Sequence, residues 1–264
     1  MRGTRMEEAK PKICEPPPLK IPSTYRFKTG IPELDKALNG GVPATLTVLV
    51  MNDPENDAST FCQQLCWHGL INDEVCIYIT YDHHPNVVRR NMLRFGWNVA
   101  PYEKNEDFII VDCFSGRLGE RGGERYWLEK PFDGLSLLEM FRRLERKIRG
   151  SKAGRPVRVI LDSFSPLAQV IGFMDTTKIV MKLQSLAKRG IYVGVGVVHK
   201  GIHGKASEFI ARHVSEGVIE LYTKEEGGEL KQYIRVSKMC LTKFDSSKIE
   251  YTLSDEGLVS VPKL

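Results

Sequence analysis

Short runs of apolar, β-branched residues alternate along the chain with segments of helical period. Thr45 to Met51 (TLTVLVM) lies between prolines and predicts a strand that is buried on both faces. The same pattern predicts strands over Val75 to Tyr81, Asp107 to Phe114, Val157 to Phe164 and Ile191 to His199. Strands buried on both faces are typical of a parallel sheet, so we expect a parallel core.

Helices are predicted between these strands, where apolar residues recur every three or four positions. They cover about Ser59 to Leu70, Asn86 to Phe95, Leu135 to Ile148 and Thr176 to Lys188, the last stopped by Gly190. The segment from Ser115 to Glu129 is rich in Gly and Arg, and we expect a loop there.

Two hairpins follow the alternating strands and helices. Gly217 to Met239 contains a turn at Gly227-Gly228, and Lys248 to Val261 contains one near Asp255 to Gly257. The whole pattern predicts an α/β fold in which a doubly wound, mostly parallel β-sheet is flanked by helices and ends in C-terminal antiparallel hairpins.

Length and composition favour one large domain. The chain has 264 residues, of which 42% are hydrophobic and 27% charged. We assign residues 1–24 to a Pro-rich flexible lead-in and residues 25–264 to the domain. Apolar runs are too short for a membrane helix, and the six cysteines lack the paired spacings of a zinc site. We therefore expect reduced thiols, a cytoplasmic location and no membrane partner.

In order and spacing, six segments of the chain resemble the KaiC-like branch of the RecA superfamily of ATPases. They are Thr29 to Pro43, Ile79 to Val99, Phe108 to Phe114, Val159 to Leu167, His213 to Leu221 and Ile234 to Met239. The resemblance implies a RecA-like core that assembles as hexamers or filaments, with ATP between subunits.

The family's phosphate loop, G-x-x-x-x-G-K-[ST], falls on a sequence that departs from it. Asn52 and Asp57 stand at the two Gly positions and Ala58 at the Lys position, and only the hydroxyl of Ser59 matches. We therefore predict a degenerate nucleotide loop made of Asn52, Asp53, Pro54, Glu55, Asn56, Asp57, Ala58, Ser59 and Thr60.

The charge of this loop opposes a phosphate ligand. Asp53, Glu55 and Asp57 are negative, and acids suit the N-terminus of the following helix. We expect them to stabilise the loop where phosphate otherwise would, without a bound cofactor. The alternative is weak binding of ATP with Mg²⁺ through Ser59.

Three further positions of the family's site are vestigial or changed. Asp162 matches the acid that orients Mg²⁺, and Asp82-His83 replaces the acidic pair that activates water. On a late strand Lys238 matches a residue that reaches the neighbouring subunit's phosphate, while Cys240 replaces its Arg partner. We expect hydrolysis to be lost and no catalytic residue to be retained, although Lys238 could act in trans.

A further hypothesis is that residues at the carboxyl ends of the parallel strands form a metal site in place of the nucleotide site. Asp82, His83, Asp162 and His199 all lie at predicted carboxyl ends of parallel strands. Capping or surface histidines are the commoner alternative.

The positive charge of the chain is concentrated in one segment. Arg117 to Arg158 holds twelve Lys and Arg against six acids, a net charge of +6 in a chain whose total is +5. Such a segment either binds nucleic acid or forms a solvated helix face with pairs such as Glu139–Arg143 and Glu145–Arg149. The candidate nucleic-acid contacts, including two lysines after the strand ending at His199, are Arg142, Arg143, Arg146, Lys147, Arg149, Lys200 and Lys205.

These features favour a non-hydrolysing KaiC/RecA-like paralogue that acts as a regulatory or assembly subunit. Its expected partners are copies of itself or another RecA-like ATPase. The alternatives are a DNA- or RNA-binding module that uses the segment 117–158, and an ATPase of atypical design.

Overall fold

A ten-stranded β-sheet forms the centre of the structure, a computed structural model that describes residues 24–187 and 192–262. The predicted lead-in, residues 1–24, lies outside the described residues except for Thr24, as do Lys188 and Gly190. The strands are Arg26–Phe27 (β1), Val42–Pro43 (β2), Thr47–Asn52 (β3), Val75–Thr80 (β4), Phe108–Asp112 (β5), Tyr126–Trp127 (β6), Val157–Asp162 (β7), Tyr192–His199 (β8), Gly217–Glu226 (β9), Glu229–Met239 (β10), Ile249–Ser254 (β11) and Gly257–Ser260 (β12).

Helices connect most of the parallel strands. They are Pro32–Ala37 (α1), Ala58–Leu70 (α2), Pro85–Arg94 (α3), Ala100–Lys104 (α4), Phe114–Arg117 (α5), Gly134–Ser151 (α6), Ser165–Ile171 (α7), Phe173–Ala187 (α8) and Lys205–Val214 (α9). No helix in the described part of the chain is both long and apolar enough to span a bilayer.

The strand order of the large sheet is β12-β11-β10-β9-β3-β8-β7-β4-β5-β6. Strands from β9 to β6 in this order pair in parallel, while β9, β10, β11 and β12 pair antiparallel with one another and form what we call the extension. Strands β1 and β2 form a separate antiparallel pair. The predicted fold class, a mostly parallel sheet flanked by helices and ending in antiparallel hairpins, is confirmed.

The two faces of the sheet pack against different helices. On the face that we call the first, Val48, Val50 and Leu221 pack in one cluster with the apolar residues of α1, α2 and α3. On the second face, Leu49 and Met51 pack with those of α6, α7, α8 and α9. Successive strand residues alternate between these faces, which is why β3 reads as a continuous apolar run rather than as an alternating one.

Several elements differ from the sequence-based expectation. The expected loop from Ser115 to Glu129 contains the end of α5 and the short edge strand β6. The helix expected from Thr176 begins at Phe173, and α7 precedes it across Gly172, which has a φ of +86°. The segment after β8, for which no helix is predicted above, contains α9. That helix buries only Ala211, although Ala206, Ile210 and Val214 recur every four positions in its sequence.

Candidate functional site

The loop between β3 and α2 is closed by a side chain of its own. The Oδ1 atom of Asp57 accepts the backbone N–H of Thr60 at 2.8 Å, and its Oδ2 atom accepts the Thr60 hydroxyl at 2.5 Å. Asp57 is therefore the N-cap of α2, and its negative charge lies at the positive end of the helix. The next residue, Ala58, is buried.

Two asparagines fill the inside of the same loop. The Asn52 side-chain amide donates to the Asn56 carbonyl at 3.1 Å, and the Oδ1 atom of Asn56 accepts the Tyr251 hydroxyl at 2.8 Å. Both asparagines are buried. The Oδ1 atom of Asn52 is buried without a hydrogen-bond partner among the described residues.

An ion pair fastens the loop to the segment after β8. Lys200 Nζ lies 2.8 Å from Asp53 Oδ1, and the backbone N–H of Lys200 donates to the Asn52 carbonyl at 2.8 Å. The backbone N–H of Thr223 in β9 donates to Asp53 Oδ2 at 3.3 Å. Lys200, predicted as a nucleic-acid contact, is thus paired with Asp53. The other lysine predicted there, Lys205, is exposed at the first turn of α9 rather than in a loop.

The register of the sheet brings the remaining predicted residues to the same edge. Asn52 pairs with His199 across β3 and β8, and Thr80 pairs with Asp162 across β4 and β7. Asp82 follows β4, and its Oδ2 atom lies 3.5 Å from His199 Nε2. The carboxyl ends of four neighbouring strands therefore meet beside the loop.

Asp82 is held between two partners at this edge. Besides His199, it faces Arg117, whose guanidinium lies 3.7 Å from Asp82 Oδ1 and donates to the Tyr81 carbonyl at 3.1 Å. Burial alone would raise the pKa of Asp82, but its polar neighbours, His199 first, outweigh burial and lower it. Arg117 had no signal in the sequence beyond its place in the basic segment.

Asp162 is fully buried at the end of β7. Its Oδ2 atom accepts the hydroxyl of Tyr78 in β4 at 2.5 Å, and its Oδ1 atom has no hydrogen-bond partner among the described residues. Burial raises the pKa of Asp162, and the charge of Asp82 raises it further. Tyr78 was absent from the sequence-based candidates, because its position reads as an ordinary buried strand residue.

These elements enclose an open cleft of about 600 Å³. The loop and the first turn of α2 form one wall, and Val87 and Asn91 of α3 contribute to the other. Its ionisable lining residues are Glu55, Asp57, Asp82, His83 and His199.

The metal hypothesis receives no support from this geometry. Among residues 24–187 and 192–262, no three His, Cys, Asp or Glu side chains are grouped so that they could hold a metal ion. Asp82 and His199 approach each other, but Asp162 turns one oxygen to Tyr78 instead.

Lys238 lies against the end of a helix of its own chain. Its Nζ atom donates to the carbonyls of Arg212 and His213 at 3.2 and 3.0 Å, and so satisfies the C-terminal turn of α9. Cys240, which stands at the Arg position of the family pattern, is exposed.

The basic segment 117–158 is largely neutralised by acids. At least seven of its twelve cations have a carboxylate partner, and most of these acids lie outside the segment. Lys147 pairs with Glu106, and Arg149 pairs with Glu145 as predicted. Arg158 is buried against Glu74 and is therefore not accessible to nucleic acid. Within this segment, the candidates that are exposed and have no ion pair among the described residues are Arg142, Arg143 and Arg146.

Comparison with known proteins identifies the family. A family model described as "ATPase: KaiC" matches residues 27–264. A UPF0273 protein of Thermotoga maritima is 34% identical over 241 residues, which cover 90% of this chain and 96% of that protein. A UPF0273 protein of Pyrococcus horikoshii is 34% identical over 244 residues, with 90% and 95% covered. The chain therefore belongs to the KaiC ATPase family, as its sequence motifs indicated.

A solved structure supports the fold. The KaiC-like protein PH0186 from Pyrococcus horikoshii superimposes with a TM-score of 0.72, covering 90% of this chain and 99% of that one at 24% sequence identity. At this identity the likeness concerns the fold, and the chemistry of the site has to be argued from the residues described above.

Proposed function

We propose that this chain is a KaiC-family subunit that does not hydrolyse ATP and that acts as a regulatory or assembly subunit. The observation that carries the proposal is the Asp57 cap. In a phosphate loop, the N–H groups at the start of the helix are left open for an anion. Here the Asp57 carboxylate already accepts the N–H of Thr60.

The charge of the loop points in the same direction. A triphosphate needs positive charge, yet the residue at the family's Lys position is the buried Ala58. Lys200 comes close to the loop, but its ammonium is held by Asp53. The residues present therefore do not fit a triphosphate bound in the family's manner.

The group at the position of the water-activating acid is also poorly suited to that role. An efficient general base has a pKa near the working pH and a free lone pair facing the substrate. Asp82 is flanked by Arg117 and His199, and its pKa is lowered. A carboxylate stabilised in this way is a weak base.

A binding experiment with ATP and Mg²⁺ tests the proposal. Isothermal titration and thermal shift of the full chain should show no saturable response at millimolar nucleotide, because a ligand that does not bind the folded state cannot stabilise it. The double variant Asp57→Gly/Ala58→Lys should gain binding, whereas Asp57→Gly alone should not. Saturable binding accompanied by phosphate release in the unmodified protein would refute the proposal.

Copies of itself and other RecA-like ATPases are the partners we propose. Lys238 is the residue that would complete a partner's nucleotide site in trans, after release of its contacts to the end of α9. Mixing the chain with a KaiC-family ATPase that has an intact phosphate loop should change ATP turnover, and Lys238→Ala should abolish that change. Lys243→Ala, an exposed lysine five residues further along, is the matched control. Equal effects of wild type and Lys238→Ala would remove Lys238 from this role.

A further inference from the structure

The solvent side of α6 bears three arginines without an acidic partner. Arg142, Arg143 and Arg146 are exposed, and none of them forms an ion pair with another residue of the described ranges. The apolar stripe of the helix, which includes Phe141 and Leu144, packs against the second face of the sheet, so the arginines face away from the core. We call Arg142, Arg143 and Arg146 the arginine ridge.

Neighbouring acids on α6 do not neutralise the ridge. A Glu and an Arg four residues apart on a helix can pair, and the sequence indicated such a pair between Glu139 and Arg143. In the structure Glu139 is exposed and forms no ion pair among the described residues. Glu145, the next acid along the helix, pairs with Arg149 instead. The ridge therefore keeps its three charges.

A buried tyrosine holds further cations beside the ridge. Tyr126, in the edge strand β6, is 5% exposed. Arg125, Arg143 and Lys147 lie 5.6, 5.9 and 5.6 Å from the centroid of its ring, whose electron-rich face attracts cations. The Lys147 ammonium also donates to the Tyr126 hydroxyl at 2.9 Å. The ring thus keeps three cations close together next to the ridge.

The acids around this group do not balance its charge. Arg125 and Lys147 both pair with Glu106, and Lys147 and then Arg125 outweigh burial and lower the pKa of the Glu106 carboxyl. With the ridge, these two residues make five cations, and the acids beside them are Glu106 and Glu139. The surface therefore has a surplus of three positive charges at neutral pH.

Phosphate groups fit such a surface better than other anions. A guanidinium presents paired N–H groups that match two oxygens of one phosphate. Arg142 and Arg146 are about one helical turn apart, or about 6 Å along the axis, and each strand of a duplex bears a charge about every 3.4 Å. Both arginines can therefore contact the same strand. From Leu138 to Ile148 no large apolar side chain of α6 is exposed, so this surface has no group that would insert into a membrane.

The contacts available here are to the backbone of a nucleic acid. Phosphate contacts position a protein on the nucleic acid but do not read its sequence. Stacking on bases needs an accessible aromatic ring, and the Tyr126 ring is buried. We therefore expect binding that does not depend on sequence.

The ridge is separate from the candidate nucleotide site. The cleft lies beside α2 and α3, which pack on the first face of the sheet, whereas α6 packs on the second. Binding at the ridge thus requires neither ATP nor a change in the loop between β3 and α2.

We infer that the arginine ridge, together with Arg125 and Lys147, binds the phosphodiester backbone of nucleic acid without sequence preference. The inference goes beyond the proposed function and does not depend on it. A regulatory or assembly subunit with this surface links its assembly to DNA or RNA.

Fluorescence anisotropy on the full chain tests the inference. The probes are fluorescein-labelled DNA and RNA duplexes of about 30 base pairs, titrated at about 25 to 200 mM NaCl. We expect micromolar affinity at low salt and a slope of log K against log[NaCl] of about −3, because about three phosphates are neutralised. Arg142→Gln/Arg143→Gln/Arg146→Gln should weaken binding by about tenfold or more, and each single variant should reduce the slope by about one.

Competing probes identify the chemistry that is bound. A DNA duplex of unrelated sequence should compete fully, and a clear sequence preference would contradict backbone contacts alone. Poly-L-glutamate of equal total charge should compete poorly. Equal competition would show that the ridge binds acidic polypeptides, and the assignment to phosphate would then be wrong. Tighter binding of either the DNA or the RNA duplex identifies the source of the phosphodiester and supports the inference.

A matched variant and a fold check accompany the titrations. Arg90→Gln/Lys182→Gln/Lys243→Gln removes three exposed cations elsewhere on the chain and should leave affinity and slope unchanged. Glutamine is a good helix former, so the ridge variant should unfold at the same urea concentration as the wild type. No binding at about 100 µM protein in low salt, or equal losses in the two triple variants, would overturn the inference. Either result leaves the proposed function standing, because ATP binding is measured separately.

Discussion

The carboxylate of Asp57 holds the first turn of α2 through both the backbone and the hydroxyl of Thr60. An N-cap of this kind stabilises a protein by about 1 kcal/mol relative to alanine. Urea unfolding of Asp57→Ala should show a loss of that size. Asp57→Ser, which can accept the same N–H, should retain most of the stability. If both variants unfold like the wild type, the cap has no energetic role.

A buried ion pair at the opposite end of the sheet should matter more. Arg158 donates to both oxygens of Glu74, and the Tyr25 hydroxyl donates to the same carboxylate at 3.0 Å. Glu74→Gln leaves the buried guanidinium without its counter-charge and should cost about 3 kcal/mol in urea unfolding at neutral pH.

Two further variants test whether the loss of stability in Glu74→Gln comes from the unpaired charge. The double variant Glu74→Leu/Arg158→Met removes both charges and should be more stable than Glu74→Gln. Asp175→Asn, which breaks an exposed pair with Lys178, should change stability by less than about 0.5 kcal/mol. A double variant as unstable as the single one would show that packing, and not the unpaired charge, sets the loss.

Asp162 should destabilise the protein in its charged form. Its pKa is raised by burial, so ionisation is harder in the folded than in the unfolded chain, and stability falls as pH rises from the ordinary pKa of 3.8 through the folded value. Asp162→Asn removes the charge and keeps an acceptor for the Tyr78 hydroxyl. We expect it to be more stable than the wild type by about 1 kcal/mol at neutral pH.

The pH dependence provides the check on Asp162. The advantage of Asp162→Asn in urea unfolding should shrink as the pH is lowered through the raised pKa of the folded state, because the wild-type carboxyl then becomes protonated. Asp162→Ala, which also removes the acceptor and leaves a cavity, should be less stable than the wild type at every pH. An asparagine variant less stable than the wild type at neutral pH would contradict the prediction.

The charged form of Glu220 should stabilise the protein, whereas the charged form of Asp162 destabilises it. Burial alone would raise its pKa, but Arg212, Ser237 and Arg235 outweigh burial and lower it from 4.5 to about 2. Stability contributed by this carboxylate is present above 4.5 and is lost as the pH falls toward 2.

Thermal melts across this pH range test the role of Glu220. Glu220→Gln should lower the free energy of unfolding by about 1.5 kcal/mol at neutral pH, a modest loss because the arginine partners of Glu220 are partly exposed. The variant should also lose less stability than the wild type when the pH is lowered from 4.5 to 2. Glu225→Gln, an exposed acid on the same strand, should leave the profile nearly unchanged. If both variants lose stability equally steeply as the pH falls, other carboxylates are responsible for the acid-induced loss.

The large elements of the fold could be predicted because their physics is local. Strands such as β3 and β7 are β-branched apolar runs, and α6 places Leu138, Phe141 and Leu144 on one stripe. The short elements could not be predicted. α5 spans four residues and β6 only two, and so neither has a measurable period.

The residues of the candidate site could be predicted from the sequence, but the contacts between them could not. The departures at Asn52, Asp57 and Ala58 are visible in the sequence because the family pattern fixes their places. The pairs Tyr78–Asp162 and Lys200–Asp53 join different strands and depend on sheet register, which no local pattern reveals. The same is true of the acids that neutralise the basic segment.

The self-closed loop between β3 and α2 has a consequence for motion. Its backbone is tied by Asp57, by the Asn52 and Asn56 side chains and by the Asp53–Lys200 pair. A loop whose N–H groups are unpaired until an anion binds loses conformational entropy on binding. This loop has already lost that freedom on folding, so its hydrogen-bonded amides, those of Asp53, Asn56 and Thr60, should exchange slowly with deuterium in the free protein. Any partner then meets a preformed surface, and little ordering entropy opposes association.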